Sequence, residues 1–167
     1  MFLSRRRLIL IGISAVVIGT IILLPLILTV TLPDLSKLSI TIDKIEFEGI
    51  EEKNNTAILN VSLNVTNPTS QALTTSRIDY SLSANRDSLG DYTLSYTDIP
   101  LNGRPQLLSN RDSTLQHEIN VPIVNERLVT SLNYNNQTLQ NIDWRVQGSA
   151  LIESGFSSTI KNFTASW

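Results

Sequence analysis

No cysteine occurs in the 167 residues, and histidine occurs once. Without cysteine there is neither a disulfide nor a thiol-linked lipid anchor, so an exported domain must be held by its core alone. A single histidine cannot build a His-based zinc site, and cysteine ligands are missing too. A Ser-His-Asp arrangement would have to use His117, yet there is no Gly-x-Ser-x-Gly elbow; Gly148-Ser149 and Ser154-Gly155 lack that spacing. His117 shares the apolar parity of Leu115 and Ile119, which makes it a residue of the core or its rim. An Asp-x-Asp-x-Asp-Gly calcium loop is absent as well. Glu46, Glu48, Glu51 and Glu52, flanked by Lys44 and Lys53, therefore read as a solvated charged stretch. There is no internal repeat and no low-complexity tract. The inventory predicts no enzyme, and no catalytic residue, metal or cofactor.

What the chain does have begins at once. Arg5, Arg6 and Arg7 precede an uncharged apolar run from Leu8 to Leu32. Twenty-five residues at about 1.5 Å each make roughly 37 Å of helix, enough for a hydrocarbon core of about 30 Å with some tilt. The arginines set the orientation, with the short N-terminal stub in the cytoplasm and the rest outside. A cleaved signal fits less well, because its apolar part spans only about 7–15 residues and ends in a small-x-small site. Here no Ala-x-Ala precedes Pro33, and Thr29-Val30-Thr31 is a poor substitute. Pro25 lies within the run, where membrane helices tolerate it.

Thirteen basic residues oppose fifteen acidic ones, and three of the basic ones are the N-terminal arginines. The remainder carries ten against fifteen, a net of −5. That mild acidity argues against nucleic acid or anionic headgroups as the main partner. Asn-x-Ser/Thr acceptors stand at Asn54, Asn60, Asn64, Asn136 and Asn162, while Pro68 spoils Asn67. In a stretch so rich in Asn, Ser and Thr chance alone produces nearly as many, so their number decides nothing.

After Pro33 the apolar residues alternate. Leu38, Ile40 and Ile42 share one face, and Ile45 and Phe47 resume on the other parity, the mark of a bulge or of two short strands. Glu48 to Asn55 reads as a loop. Leu59, Val61, Leu63 and Val65 form the cleanest strand, with Asn60, Ser62, Asn64 and Thr66 facing out, so a glycan fits on Asn60 or Asn64. Asn67-Pro68-Thr69-Ser70 is turn chemistry. Inward rows follow at Ile78, Tyr80, Leu82 and Ala84, with Arg77, Asp79, Ser81 and Ser83 outside. Asn85 to Ser88 turns the chain into a strand with Tyr92, Leu94 and Tyr96. Residues 99–111, with two prolines and Gly103, form a long connection. Leu115, His117, Ile119 and Val121 make the next row. Asn125 caps a short helix carrying Leu128, Val129 and Leu132. Ile142, Trp144, Val146, Gly148 and Ala150 resume the strand period, Gly155 breaks it, and Phe163, Ala165 and Trp167 finish. Parity puts Tyr80 and Trp144 in the core, not on a stacking platform. About seven strands with turns every 8–15 residues predict an all-β antiparallel sandwich, fibronectin- or immunoglobulin-like, with one short helix and a preceding transmembrane helix.

The order of these marks resembles the late-embryogenesis-abundant type 2 family, also called the water-stress and hypersensitive-response domain, in its membrane-anchored form. The resemblance starts at Leu59-Asn-Val-Ser-Leu-Asn-Val-Thr-Asn-Pro-Thr69, a strand running into the family's Asn-Pro turn at Asn67 and Pro68. It continues through Ile78-Asp-Tyr-Ser-Leu82, Leu89-Gly90, Ile99-Pro100, Val121-Pro122-Ile123 and Val146-Gln-Gly148, covering residues 36–165. Two positions depart: Thr69 replaces the usual second Asn, and Asp91-Tyr92 stands where a second glycine is common.

The organisation expected is a cytoplasmic stub (1–7), a transmembrane helix (8–32), a linker (33–37) and a sandwich (38–167). The resemblance implies a non-enzymatic, plasma-membrane-tethered, outward-facing domain that protects membrane or envelope during desiccation or osmotic stress. The bilayer is its partner through residues 8–32, with envelope proteins or lipids as further partners and no nucleic acid. The alternative is an interaction or lipid-binding module of a cell-surface assembly.

Overall fold

The computed structural model describes residues 5–31, 33–123, 139, 142–155 and 157–167, with side chains over the same residues except 5–8 and 26–31. It divides into two units, Met1–Leu32 and Pro33–Trp167.

The first unit is one helix, α1 (Arg5–Thr31), with Pro25 inside it. No run of helix-breaking residues interrupts it, and Thr20 Oγ1 donates back to the Val16 carbonyl at 2.9 Å. Ile9, Leu10, Ile13, Val16, Ile21 and Leu24 are all exposed, so the helix is apolar all round and has no polar face. Among the described residues, no helix is long and apolar enough to cross a membrane.

The second unit holds eight strands: β1 (Ser39–Glu51), β2 (Thr56–Asn67), β3 (Leu73–Ala84), β4 (Asp87–Ser95), β5 (Gln106–Leu107), β6 (Arg111–Pro122), β7 (Trp144–Glu153) and β8 (Ser158–Ser166). They form two antiparallel sheets. Sheet A runs β1-β2-β6; sheet B runs β4-β3-β7-β8, with β5 paired to the start of β3. The inward rows of both sheets meet in one core. Leu59, Val61, Leu63 and Val65 are fully buried from sheet A, as are Ile78, Leu82, Trp144 and Val146 from sheet B. Period-two alternation allows this, because each strand then offers one apolar face to the other sheet.

Several expectations are corrected. The change of parity after Ile42 is a bulge within one strand, with the register shift between Ile42 and Lys44. Glu48–Asn55 is not all loop: β1 runs through Glu51, and only 52–55 turn the chain, with Asn55 at φ 51°. The Asn85–Ser88 turn shrinks to Asn85 and Arg86, both at positive φ as a two-residue hairpin requires, and Asn85 Oδ1 accepts the Asp143 amide at 3.0 Å. Tyr96 falls just beyond β4. The long connection contains β5, which raises the strand count to eight. Segment 33–37 is more than a tether, since a helical turn at Leu35–Lys37, capped by Asp34, places Leu35 in the core. The helix expected after Asn125 lies outside the described residues.

Candidate functional site

Strand parity leaves sheet B with an outward face of short polar side chains, and register arranges them. One row crosses the sheet as Asp91–Ser81–Gln147–Thr164, the next as Thr93–Asp79–Ser149–Asn162. These eight residues and the backbone beneath them line a concave trough of about 750 Å³. It lies on the outside of sheet B rather than between the sheets.

Gly148 shapes its floor. A Cβ there would lie 2.1 Å from the Asp79 carbonyl oxygen and 2.7 Å from Tyr80 Cβ, so only glycine admits this approach of β3 to β7. One half of the trough is tied internally. Thr93 Oγ1 donates to Asp79 Oδ1 at 2.6 Å, Arg77 Nε reaches both Asp79 oxygens, and Ser81 Oγ donates to Asp91 Oδ1 at 2.5 Å. The Thr93 hydroxyl, and after it the Arg77 guanidinium, holds the Asp79 carboxyl below its ordinary range. Across the β7–β8 half, Gln147, Ser149, Asn162 and Thr164 make no side-chain hydrogen bond among the described residues.

The single histidine lies elsewhere. His117 on β6 is half-buried, and its Nδ1 is 2.8 Å from Tyr80 Oη on β3, a polar link between the sheets. Tyr80 packs edge-on against the imidazole and tilted against Tyr92. Burial, then the neighbouring Tyr92, drives the Tyr80 hydroxyl well above its usual range, and burial lowers the His117 pKa from 6.5. A proton shared by a buried phenol and a neutral imidazole is a structural pair. Its consequence is a pH dependence. The unfolded chain binds a proton at His117 near pH 6.5 and the folded chain only at lower pH. The stability it contributes is therefore complete above pH 6.5 and falls as pH drops through the folded value. Urea midpoints of the full chain, followed by tryptophan fluorescence, should decline across that window, and His117→Phe should remove that decline. An unchanged slope in the variant would contradict the assignment.

The other singled-out residues separate clearly. Asn54 is exposed in the β1–β2 turn, and Asn162 is exposed in the trough. Asn60 and Asn64 do face outward on β2, but with less room than expected for a glycan. Ser62 between them, flanked in register by Lys44 and Gln116, is fully buried, and Asn60 Nδ2 donates to Glu48 Oε1 at 3.1 Å. Asn136 lies outside the described residues. Arg5, Arg6 and Arg7 open α1. The glutamates of β1 and its turn are dispersed: Glu46 pairs with Lys44, and Glu51 accepts from Asn54. Among the described residues no three metal-ligating side chains converge.

Pro68 is exposed, but Asn67 is fully buried and bonded on every side. Its Nδ2 donates to the carbonyls of Gln71 (2.8 Å) and Leu107 (2.9 Å). Its Oδ1 accepts from the Thr69 amide (3.0 Å) and hydroxyl (2.7 Å). Thr69 completes the turn: its hydroxyl, whose one proton is directed at Asn67 Oδ1, also lies 3.1 Å from the Gln71 carbonyl oxygen. The motif staples the end of β2 to β5, which belongs to the other sheet.

No family model matches the chain, and no curated protein matches it. Solved structures do show likenesses. A protein from Archaeoglobus fulgidus is 12% identical over 76% of this chain and 94% of its own, with a TM-score of 0.44. A solution structure described as a late embryogenesis abundant protein is 13% identical over 80% and 73%, at 0.46. The solution structure of a protein from Arabidopsis thaliana, whose description names no family, is 14% identical over 77% of this chain and 78% of its own, at 0.47. Overlaps of this size establish neither family nor activity.

Proposed function

We propose that this chain is a membrane-anchored, non-enzymatic domain of the water-stress type, displayed outside the cytoplasmic membrane, where it protects membrane or envelope during water loss. The observation that carries the reading is the order of parts: three arginines, an uncharged apolar run from Leu8 to Leu32, and a fold whose core begins at Leu35. The membrane is the partner of that run, and the positive charge before it keeps the N-terminus inside. Family membership is supported by the Leu59–Thr69 strand and turn, in which Asn67 works as a staple. A fibronectin-like sandwich is supported by seven long strands set three against four, with the short β5 aside. A non-enzymatic role is supported by the single histidine being engaged with Tyr80 between the two sheets.

The test is direct because the chain has no cysteine of its own. Ser88, exposed on β4, is replaced by cysteine in the full chain, and intact cells are treated with a membrane-impermeant maleimide. Labelling without lysis is expected. The full chain in vesicles should then reduce leakage of a trapped dye on drying and rehydration, relative to vesicles bearing an unrelated anchored sandwich. A label that enters only after lysis overturns the orientation, and equal leakage overturns the protective role.

A further inference from the structure

We propose that the trough on the outer face of sheet B is a binding site for neutral, hydroxyl-rich carbohydrate in the form of a short oligosaccharide. The reasoning is by chemistry of the lining and holds whether or not the chain is anchored. None of the residues lining the trough is basic and two are aspartates, and the nearby Arg77 is already paired with Asp79, so an anionic ligand meets repulsion and finds no uncommitted counter-charge in the lining. Apolar ligands fare no better. The three aromatics among the lining residues lie on the inward parity of their strands, and the larger share of what the trough presents is polar, from carboxylate, hydroxyl and amide groups. A metal ion would need more ligands than are there, because among the described residues no three suitable side chains converge.

Neutral hydroxyl groups are the remaining match. Sugars present adjacent hydroxyls that both donate and accept. Carboxylates accept such bonds while amides do both, and Asp91 uses only one of roughly four acceptor sites in its bond to Ser81. Strand spacing gives the dimensions. Four strands about 4.8 Å apart span roughly 14 Å, and the two rows lie about 7 Å apart along the strands, a footprint for a short chain of sugar rings. The site is also half-built in advance. The β3–β4 side is locked by the Thr93–Asp79–Arg77 and Ser81–Asp91 bonds, which lowers the ordering cost of binding there. Gln147, Ser149, Asn162 and Thr164 keep their hydrogen-bonding groups available opposite that locked side.

The full chain, produced in a host that does not glycosylate Asn162 and held in lipid nanodiscs, is titrated with maltotriose and cellotriose by saturation-transfer NMR. Transfer to at least one neutral trisaccharide is expected. The double variant Asp91→Ala, Gln147→Ala should weaken it tenfold or more. Gln116→Ala, on the outer face of sheet A, should leave it unchanged. Thr164→Tyr, at an exposed position of the edge strand, fills the trough and should abolish transfer; it serves as the second variant if the first misfolds by circular dichroism. The proposal is overturned if no neutral trisaccharide receives transfer, if a folded trough variant binds as the parent does, or if trigalacturonate binds more strongly than the neutral sugars.

Discussion

Asn67→Asp should destabilise the β-rich unit by about 3–5 kcal/mol, a change of one atom at a buried turn. The asparagine is fully buried and spends its whole hydrogen-bonding capacity: two donated bonds to carbonyls and two accepted ones from Thr69. An aspartate keeps the acceptor and loses both donors. The carbonyls of Gln71 and Leu107 then face a carboxylate oxygen without water to replace the lost N–H groups. Each buried acceptor so orphaned costs about 1–3 kcal/mol. The lost Leu107 bond also frees β5 from the end of β2, so the damage spans both sheets. A pH signature separates this mechanism from general loosening. Desolvation raises the pKa of the new carboxyl in the folded state, so the folded variant binds a proton that the unfolded chain releases. Its stability is highest at low pH and falls as pH rises above the ordinary carboxylate range. Urea midpoints of the full chain in micelles, read by the fluorescence of buried Trp144, measure both effects. A midpoint equal to the parent's at neutral pH would refute the staple.

Gly148→Ala is the second large effect, and it comes from adding an atom. The new Cβ would lie 2.1 Å from the Asp79 carbonyl oxygen and 2.8 Å from Tyr80 Cα, both backbone atoms of the paired strand. Overpacking usually costs about 1–3 kcal/mol because side chains can move aside. Here the obstacle is the ladder itself, so β3 and β7 must part at the centre of sheet B, and a loss above about 3 kcal/mol is expected. Gly49→Ala is the control: nothing lies within 4 Å of its added Cβ, and it should leave the midpoint nearly unchanged. Amide exchange should show the same contrast, with β7 losing protection only in the Gly148 variant. Equal midpoints for the two variants would mean that the close approach does not matter.

Both positions were visible beforehand, and neither role was. Asn67 reads from the chain as a turn residue before proline, and that is correct locally. Its partner Leu107 is forty residues away, and nothing in local spacing points to it. Gly148 reads as one inward position among five, and alternation cannot distinguish a small residue from a necessary one. His117 was legible as a residue of the core or its rim, but its hydrogen bond with Tyr80 needed the two sheets brought face to face.

The same division holds for the candidate site. Alternation alone determined that Asp79 and Ser81 face outward, that the chain changes parity after Ile42, and that Trp144 is core. Those properties are local, because a strand repeats every two residues and a turn is written in a few adjacent ones. Which outward residues stand side by side was decided only by the fold. Asp91, Ser81, Gln147 and Thr164 form one row because four strands pair in a particular order and register. Register is the outcome of the whole core closing at once: a slip of one residue would turn every apolar side chain of a strand to water. That cost is shared among strands far apart in the chain, so no stretch of sequence carries it alone.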